Sequence, residues 1–311
     1  MNVLSLFDGM SCGQVALNRI GITPTKYYAS EIDKHAIKVA QHNFPNTIQL
    51  GDVNLWESWD MDWKSIDLLM GGFPCQAFSL SGKRLAFDDP RGKLFFECVK
   101  ILNHIRKHNP NVKFLFENVQ MKNEHLEAIN NLIGIKPMLI NSKLLAAQSR
   151  PRNYWFNWEV SLPEDKNIVL KDILEDSVDE KFFINDCRNV DYPPYPASIV
   201  GRRINSKGVR EDYNKNVPIT QCLQVKNSND KTGTLTTVQK DNVIAYYPSG
   251  RYVGIYDRND IAVRILTPLE YERLQTLDEG YTDVVSNNQR YKMLGNGWTV
   301  DVISHILTPL K

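Results

Sequence analysis

The chain has 311 residues, 42% of them hydrophobic and 23% charged, a composition that excludes disorder, collagen-like repeats and low-complexity architecture. With 37 basic and 36 acidic residues the net charge is +1, so a polyanionic partner must be held by a local patch and not by bulk charge. No stretch reaches the roughly 18 consecutive apolar residues of a membrane span, and strand-like sequence from Val3 leaves no room for a signal peptide, so a cytoplasmic protein with no membrane partner is expected.

Over the first 160 residues, short apolar runs alternate with helical periodicity, the pattern of a parallel α/β sheet. A strand over 3–7 enters the turn Gly9 to Gly13, and a helix over 14–20 stops at Gly21. A strand over 27–30 and a helix over 34–44, closed by Pro45, come next. A buried strand over 66–70 runs into Gly71-Gly72-Phe73-Pro74. The helix over 93–108 has Leu94, Val99, Leu102 and Ile105 on one face and stops before Pro110. A strand over 112–116, a helix over 124–133 and late strands over 138–145 and 154–158 complete the regular part.

From about 162 to 260 the alternation is lost, and the segment becomes rich in Asn, Asp, Pro, Tyr and Gly with short β-like runs. Between 181 and 260 there are 12 Lys/Arg against 8 Asp/Glu, a local charge of about +4 that reads as a separate, irregular, basic module. Regular pattern resumes at Ala262, with a helix over 268–276 and helical sequence over 291–307. Its last part, 300–307, has no partner nearby in sequence and is expected to return to the first domain.

The five cysteines, Cys12, Cys75, Cys98, Cys187 and Cys222, are odd in number and irregularly spaced, which fits neither a disulfide framework nor a zinc site. Free thiols and no metal are expected. The turn Phe7-Asp8-Gly9-Met10-Ser11-Cys12-Gly13 lies where glycines let a ligand approach backbone amides. Glu31, some 20 residues on, and Asp52 fall at strand ends, where carboxylates accept ribose hydroxyls, so the three together suggest an adenosine-bearing cofactor. Cys75 stands just past a buried strand at the edge where such sheets bind ligands, a place for a nucleophile, and the strand over 112–116 brings Glu117-Asn118 to the same edge.

These blocks resemble, in order and over almost the whole chain, the DNA (cytosine-5) methyltransferases. They are the Phe7 to Gly13 turn, Glu31, Asp52, Pro74-Cys75-Gln76, Glu117-Asn118-Val119, Gln148-x-Arg150-x-Arg152, the helix from Pro268 to Gln275, and Gly295-Asn296-Gly297. Ala77-Phe78-Ser79-Leu80-Ser81-Gly82-Lys83 and Arg91-Gly92-Lys93-Leu94-Phe95-Phe96 look like the family's mobile catalytic loop. The chain departs from many bacterial relatives at Met10-Ser11-Cys12, where they carry a glycine-rich run, and at Gly297-Trp298-Thr299-Val300, which looks more like the vertebrate de novo enzymes.

The resemblance implies that Cys75 adds to C6 of cytosine, that Glu117 contacts N3 and the exocyclic amine, and that Arg152 holds O2 with Arg150 supporting the pocket. It implies S-adenosylmethionine as cofactor, held by Phe7, Gly9, Met10 and Gly13, by Glu31 on the ribose, Ile32 and Val53 flanking the adenine and Asp52 on its amine, and closed by Pro74, Leu94, Asn296 and Trp298. On the DNA side it implies that Ser81, Lys83, Arg84 and Arg91 act from the loop, with Thr234, Arg202 and Arg203 in the recognition segment.

The expected fold class is α/β: a Rossmann-like S-adenosylmethionine-dependent methyltransferase domain, 1–178 and 286–311, with a small, mostly irregular/β target-recognition domain and hinge, 179–285. The expected function is cytosine-5 methylation of a flipped-out base in a short duplex DNA sequence by a monomer, with a separately encoded restriction endonuclease as a candidate partner. The same chemistry on transfer RNA, and a silent DNA-binding regulator, are the competing readings.

Overall fold

The computed structural model describes residues 1–74, 90–185, 190–226, 230–246, 255–256 and 261–311, with 90–92 and 255–256 as backbone only. Its larger sheet has seven strands in the order β3-β2-β1-β4-β5-β7-β6. These are β1 (Asn2–Leu6), β2 (Lys26–Ser30), β3 (Ile48–Gln49), β4 (Leu68–Gly72), β5 (Lys113–Val119), β6 (Met138–Asn141) and β7 (Pro151–Phe156). The first five run parallel, and β7 lies antiparallel between β5 and β6.

Alternation along the strands builds a core on each face. Val3, Met70 and Leu115 point to one side and Leu4, Leu69, Phe114 and Phe116 to the other. The first face is covered by α1 (Cys12–Arg19) and α2 (Lys34–Asn43), the second by α3 (Pro90–His108) and α4 (Asn123–Ile133). Helix α2 starts where the Asp33 carboxylate accepts from the His35 amide at 2.9 Å, and α4 ends at Gly134, whose φ of +83° suits a residue without Cβ.

Two helices, α6 (Asn287–Asn296) and α7 (Val300–Leu307), carry the regular pattern expected over 291–307, the second with the bounds expected for the last helix. The chain turns extended at Gly297 and Thr299, which separates them. Helix α7 does return to the first face: it packs on α1, and the Ser304 hydroxyl donates to the Ala16 carbonyl at 3.4 Å. Among the described residues no helix is long and apolar enough to cross a membrane.

The segment expected to be mostly irregular/β carries a five-stranded antiparallel sheet with its own core, ordered β11-β9-β8-β10-β12. Its strands are β8 (Pro194–Arg203), β9 (Ile219–Val225), β10 (Val243–Tyr246), β11 (Ile255–Tyr256) and β12 (Ala262–Ile265). Strand β8 buries Tyr195, Ala197 and Ile199 in alternation, but Pro194 and Pro196 hide the pattern from a local reading.

A buried ion pair anchors this sheet to the following helix α5 (Pro268–Leu274). Arg264 on β12 meets Glu270 bidentately, at 2.7 and 2.8 Å, with both side chains fully buried. Glu270 also closes a capping box with Thr267 and accepts from the Glu175 amide at 3.0 Å. Replacing only one member strands the other in a dry interior. Arg264→Met should therefore lower unfolding free energy by about 3–5 kcal/mol in denaturant titrations, and Arg264→Met/Glu270→Leu should recover much of the loss. A loss under about 1 kcal/mol for the single variant would mean that the pair is solvated.

Candidate active site

In a doubly wound sheet the ligand crevice opens at the carboxyl ends of the strands where their order reverses, here between β1 and β4. A cleft of about 560 Å³ lies there. It gathers Phe7, Gly9 and Met10 after β1, Glu31 and Ile32 after β2, Asp52 and Val53 after β3, and Pro74 after β4. Leu94, Glu117, Arg150, Arg152, Asn296 and Trp298 complete the set of expected residues that share it.

The turn after β1 is held in an uncommon shape. Phe7, Gly9 and Ser11 all have positive φ, at 54°, 58° and 66°, which for the two non-glycine residues costs of order 1 kcal/mol or more each. Compensating bonds surround it. Glu31 Oε2 accepts from the Gly9 amide at 2.8 Å, the Asp8 amide donates to the Ser30 carbonyl at 3.1 Å, and the Tyr281 hydroxyl donates to the Met10 carbonyl at 2.6 Å. Glu31 Oε1 takes the Ile32 and Asp33 amides at 2.7 and 2.8 Å, so one carboxylate ties the ends of β1 and β2 together.

Asp52 uses one oxygen to cap the helical turn that follows, accepting from the Asn54 amide at 2.9 Å and its side-chain amide at 2.8 Å. Ile32 is 75% exposed although apolar, and it faces the cleft. Gly13 does not line the cleft. It lies inside α1, where an added Cβ would stand 2.7 Å from the Met70 methyl and 3.2 Å from the Tyr27 hydroxyl, so its smallness serves helix-to-sheet packing.

The register of β5 and β7 brings Glu117 and Arg152 together. Glu117 pairs with Tyr154 and Val119 with Arg152, which makes Glu117 and Arg152 diagonal neighbours on one face. Arg152 Nε lies 3.0 Å from Glu117 Oε1, both side chains being 12% exposed, and the Trp298 indole N–H donates to Glu117 Oε2 at 2.9 Å. Arg150 is buried and its guanidinium donates to the carbonyls of Leu235, Gly295 and Gly297 at 2.9, 3.0 and 3.0 Å. It is neither a surface pair nor an exposed phosphate contact.

Cys75, Ser81, Lys83 and Arg84 lie outside the described residues, as does the Arg91 side chain. The described thiols Cys12, Cys98 and Cys222 are buried, and burial pushes Cys12 up to about 12. Between β9 and β10, Thr234 donates to the Ser149 carbonyl at 2.9 Å; on β8, Arg202 donates to Gln224 Oε1 at 3.0 Å and Arg203 to the Val217 carbonyl. These three stand away from the cleft lining.

Residues not singled out in the sequence also line the cleft, among them Asp8, Asp33 and Lys292. Lys292 on α6 pairs with Asp33 at 2.6 Å across its mouth, a contact between residues 259 apart that no local pattern signals. Asp8 stands between Phe7 and Gly9 in the turn itself, the one signal that marked it. It accepts from the Tyr27 hydroxyl at 2.7 Å and from the Ser11 hydroxyl. Desolvation, aided by Glu31, pushes Asp8 up to about 6 against the hydrogen bonds that favour its anion.

This is a Rossmann-like methyltransferase fold with a cofactor-sized cleft beside a carboxylate–arginine pair. The chain belongs to the C-5 cytosine-specific DNA methylase family, whose model matches residues 1–311. It is accordingly a DNA (cytosine-5-)-methyltransferase, as the resemblance implied. It is similar to the type II methyltransferase M1.ScrFI of Lactococcus lactis subsp. cremoris, 30% identical over 98% of this chain and 76% of that protein. The orphan methyltransferase M.SPRI of Bacillus phage SPR is 26% identical over 100% and 97%. Among solved structures, the Entamoeba histolytica methyltransferase EhMeth shares the fold with a TM-score of 0.69 over 100% of this chain and 99% of that one, at 19% identity.

Asp8 carries a pH consequence. The unfolded chain releases this proton near 3.8 and the folded chain near 6, so the native state holds the extra proton in between and stability falls as pH rises through that window. Melting temperatures of Asp8→Asn should therefore decline less between about pH 4.5 and 6.5 than those of the wild type. Identical slopes would assign the titration elsewhere.

Proposed function

We propose that the chain methylates C5 of a flipped-out cytosine in a short duplex DNA sequence, with S-adenosylmethionine in the cleft and Cys75 as nucleophile. The Glu117–Arg152 pair at the rim of that cleft is the observation that carries the assignment. Position 5 of cytosine is a weak nucleophile. Addition of the Cys75 thiolate to C6 makes C5 enamine-like, and a proton delivered by Glu117 at N3 eases that addition.

The cleft fits the cofactor. The exposed apolar Ile32 and buried Val53 suit the two faces of a purine, Asp52 has a second oxygen without a hydrogen bond among the described residues, and Glu31 keeps lone pairs for ribose hydroxyls. Bound there, S-adenosylmethionine supplies an electrophilic methyl group. Phe7, Gly9, Met10, Pro74, Leu94, Asn296 and Trp298 form the remaining walls.

Arg152 reaches the base from beside Glu117, whereas Arg150 supports the pocket by fixing the backbone around it. We read 179–285 as the recognition part, with Thr234, Arg202 and Arg203 near the duplex, and the loop residues Ser81, Lys83, Arg84 and Arg91 closing on DNA once the base is extruded. Extrusion costs a few kcal/mol, which backbone contacts must offset. A monomer in the cytoplasm suits a short site, and a separately encoded restriction endonuclease suits the likeness to a type II methyltransferase.

Bisulfite sequencing of plasmid DNA from cells expressing the wild type, Cys75→Ser and Glu117→Gln tests this reading. Methylation at one repeated motif is expected in the wild type, absence in Cys75→Ser, and a reduction of about a hundredfold or more in Glu117→Gln when rates are measured with purified protein. Unaltered methylation in Cys75→Ser would remove the nucleophile assignment. Activity on transfer RNA with none on duplex DNA would move the same chemistry to another substrate.

A further inference from the structure

Glu117 is held from two sides. Arg152 Nε meets Oε1 at 3.0 Å and the Trp298 indole meets Oε2 at 2.9 Å. The last torsion of a glutamate is soft, with broad preferences. One donor on one oxygen leaves the carboxyl plane free to swing, whereas two donors on opposite oxygens fix it. Each oxygen keeps a further lone-pair direction for a base edge.

The chain is built around this contact. A Cβ at residue 72 would stand 2.8 Å from Trp298 Nε1 and 3.2 Å from Glu117 Oε2, so Gly72, paired in register with Glu117, leaves the space the indole needs. The residue before the indole is clamped as well: the Gly297 carbonyl accepts from Arg150 Nη2 at 3.0 Å and from Gln275 Nε2 at 3.1 Å. The residue after it is fixed by the Thr299 hydroxyl, which donates to Gln275 Oε1 at 2.9 Å. The indole has a single donor, and it is spent on the carboxylate instead of on the cleft.

We propose that Trp298 is a positioning residue for Glu117, fixing the plane in which that carboxyl meets the cytosine edge, in addition to walling the cleft. The inference rests on the reading of Glu117 given above. It separates two roles of one side chain: the ring face belongs to the cleft and the N–H belongs to Glu117. Trp298→Phe keeps a smaller aromatic face on the cleft and removes the N–H, and Gly72→Ala keeps both groups but presses its Cβ between the indole N–H and Glu117 Oε2.

Both variants should show a kcat roughly tenfold to a hundredfold below the wild type, the span expected for one hydrogen bond to a charged group. Calorimetric affinities for S-adenosylmethionine should stay within about threefold, and thermal melts should confirm folding. In a Glu117→Gln background Trp298→Phe should add less than about twofold, since both changes act on one interaction. A Trp298→Phe protein with intact kcat and weakened cofactor binding, or a full multiplicative loss on top of Glu117→Gln, overturns the proposal. A Glu117→Gln enzyme with wild-type rate overturns instead the reading on which it rests.

Discussion

The Arg150 guanidinium is the contact on which the arrangement of the site depends. It holds three carbonyls from residues 85 to 147 positions away in sequence, one in the segment between the small-sheet strands, one in the last turn of α6 and one in the turn between α6 and α7. A buried cation with too few acceptors would cost several kcal/mol, so these backbone segments and Arg150 specify one another. Gln148 and Gln275 extend the clamp. Gln148 Oε1 accepts from the Leu235 amide and its Nε2 donates to the Leu274 carbonyl, while Gln275 reaches the Leu294 carbonyl. The packing is equally tight, because a Cβ on Gly295 would fall 2.4 Å from the Thr236 carbonyl oxygen.

What the sequence made legible follows from how each part is stabilised. Parallel strands buried on both faces read as apolar runs, so β1, β2, β4 and β5 were visible, and with them the strand-end residues Glu31 and Glu117. Strands β8 to β12 showed only as short β-like runs, since their partners come from distant stretches and prolines interrupt the alternation of β8. Gly13 shows a subtler limit. A glycine after a strand serves either ligand approach or close helix packing, and only the neighbouring Met70 and Tyr27 decide between them. Arg150 was marked as a pocket residue, but its clamp needs carbonyls that no spacing rule can bring to it.

The parallel sheet and the antiparallel strand β7 divide the labour of the site. The five parallel strands deliver their carboxyl ends to one edge, which makes a long cleft with acids at Glu31 and Asp52. Strand β7 runs the other way, so its beginning, and with it Arg152, lies at that same edge beside Glu117. Glu31 and Asp52 on the cofactor side and Glu117 and Arg152 on the base side thus share one rim on or beside sheet strands, the condition for holding donors at fixed distances.

The two blocks that fit the resemblance least closely, Met10-Ser11-Cys12 and Gly297 to Val300, meet in the fold. A Cβ on Gly297 would stand 2.7 Å from the Met10 methyl and 3.5 Å from the Cys12 sulfur, so the larger side chains of the first turn are accommodated by the missing side chain next to Trp298. The turn itself reaches left-handed backbone at Phe7 and Ser11, which are not glycines, and Asp8, Tyr27, Glu31 and Tyr281 hold it there. Bulk in the first turn, a glycine at 297 and an indole reaching Glu117 are therefore parts of one packing solution. A glycine-rich first turn would remove the Met10 and Cys12 contacts beside Gly297, and the orientation of Trp298 would then lean more on Glu117 and on the Arg150, Gln275, Thr299 and Met293 bonds around it.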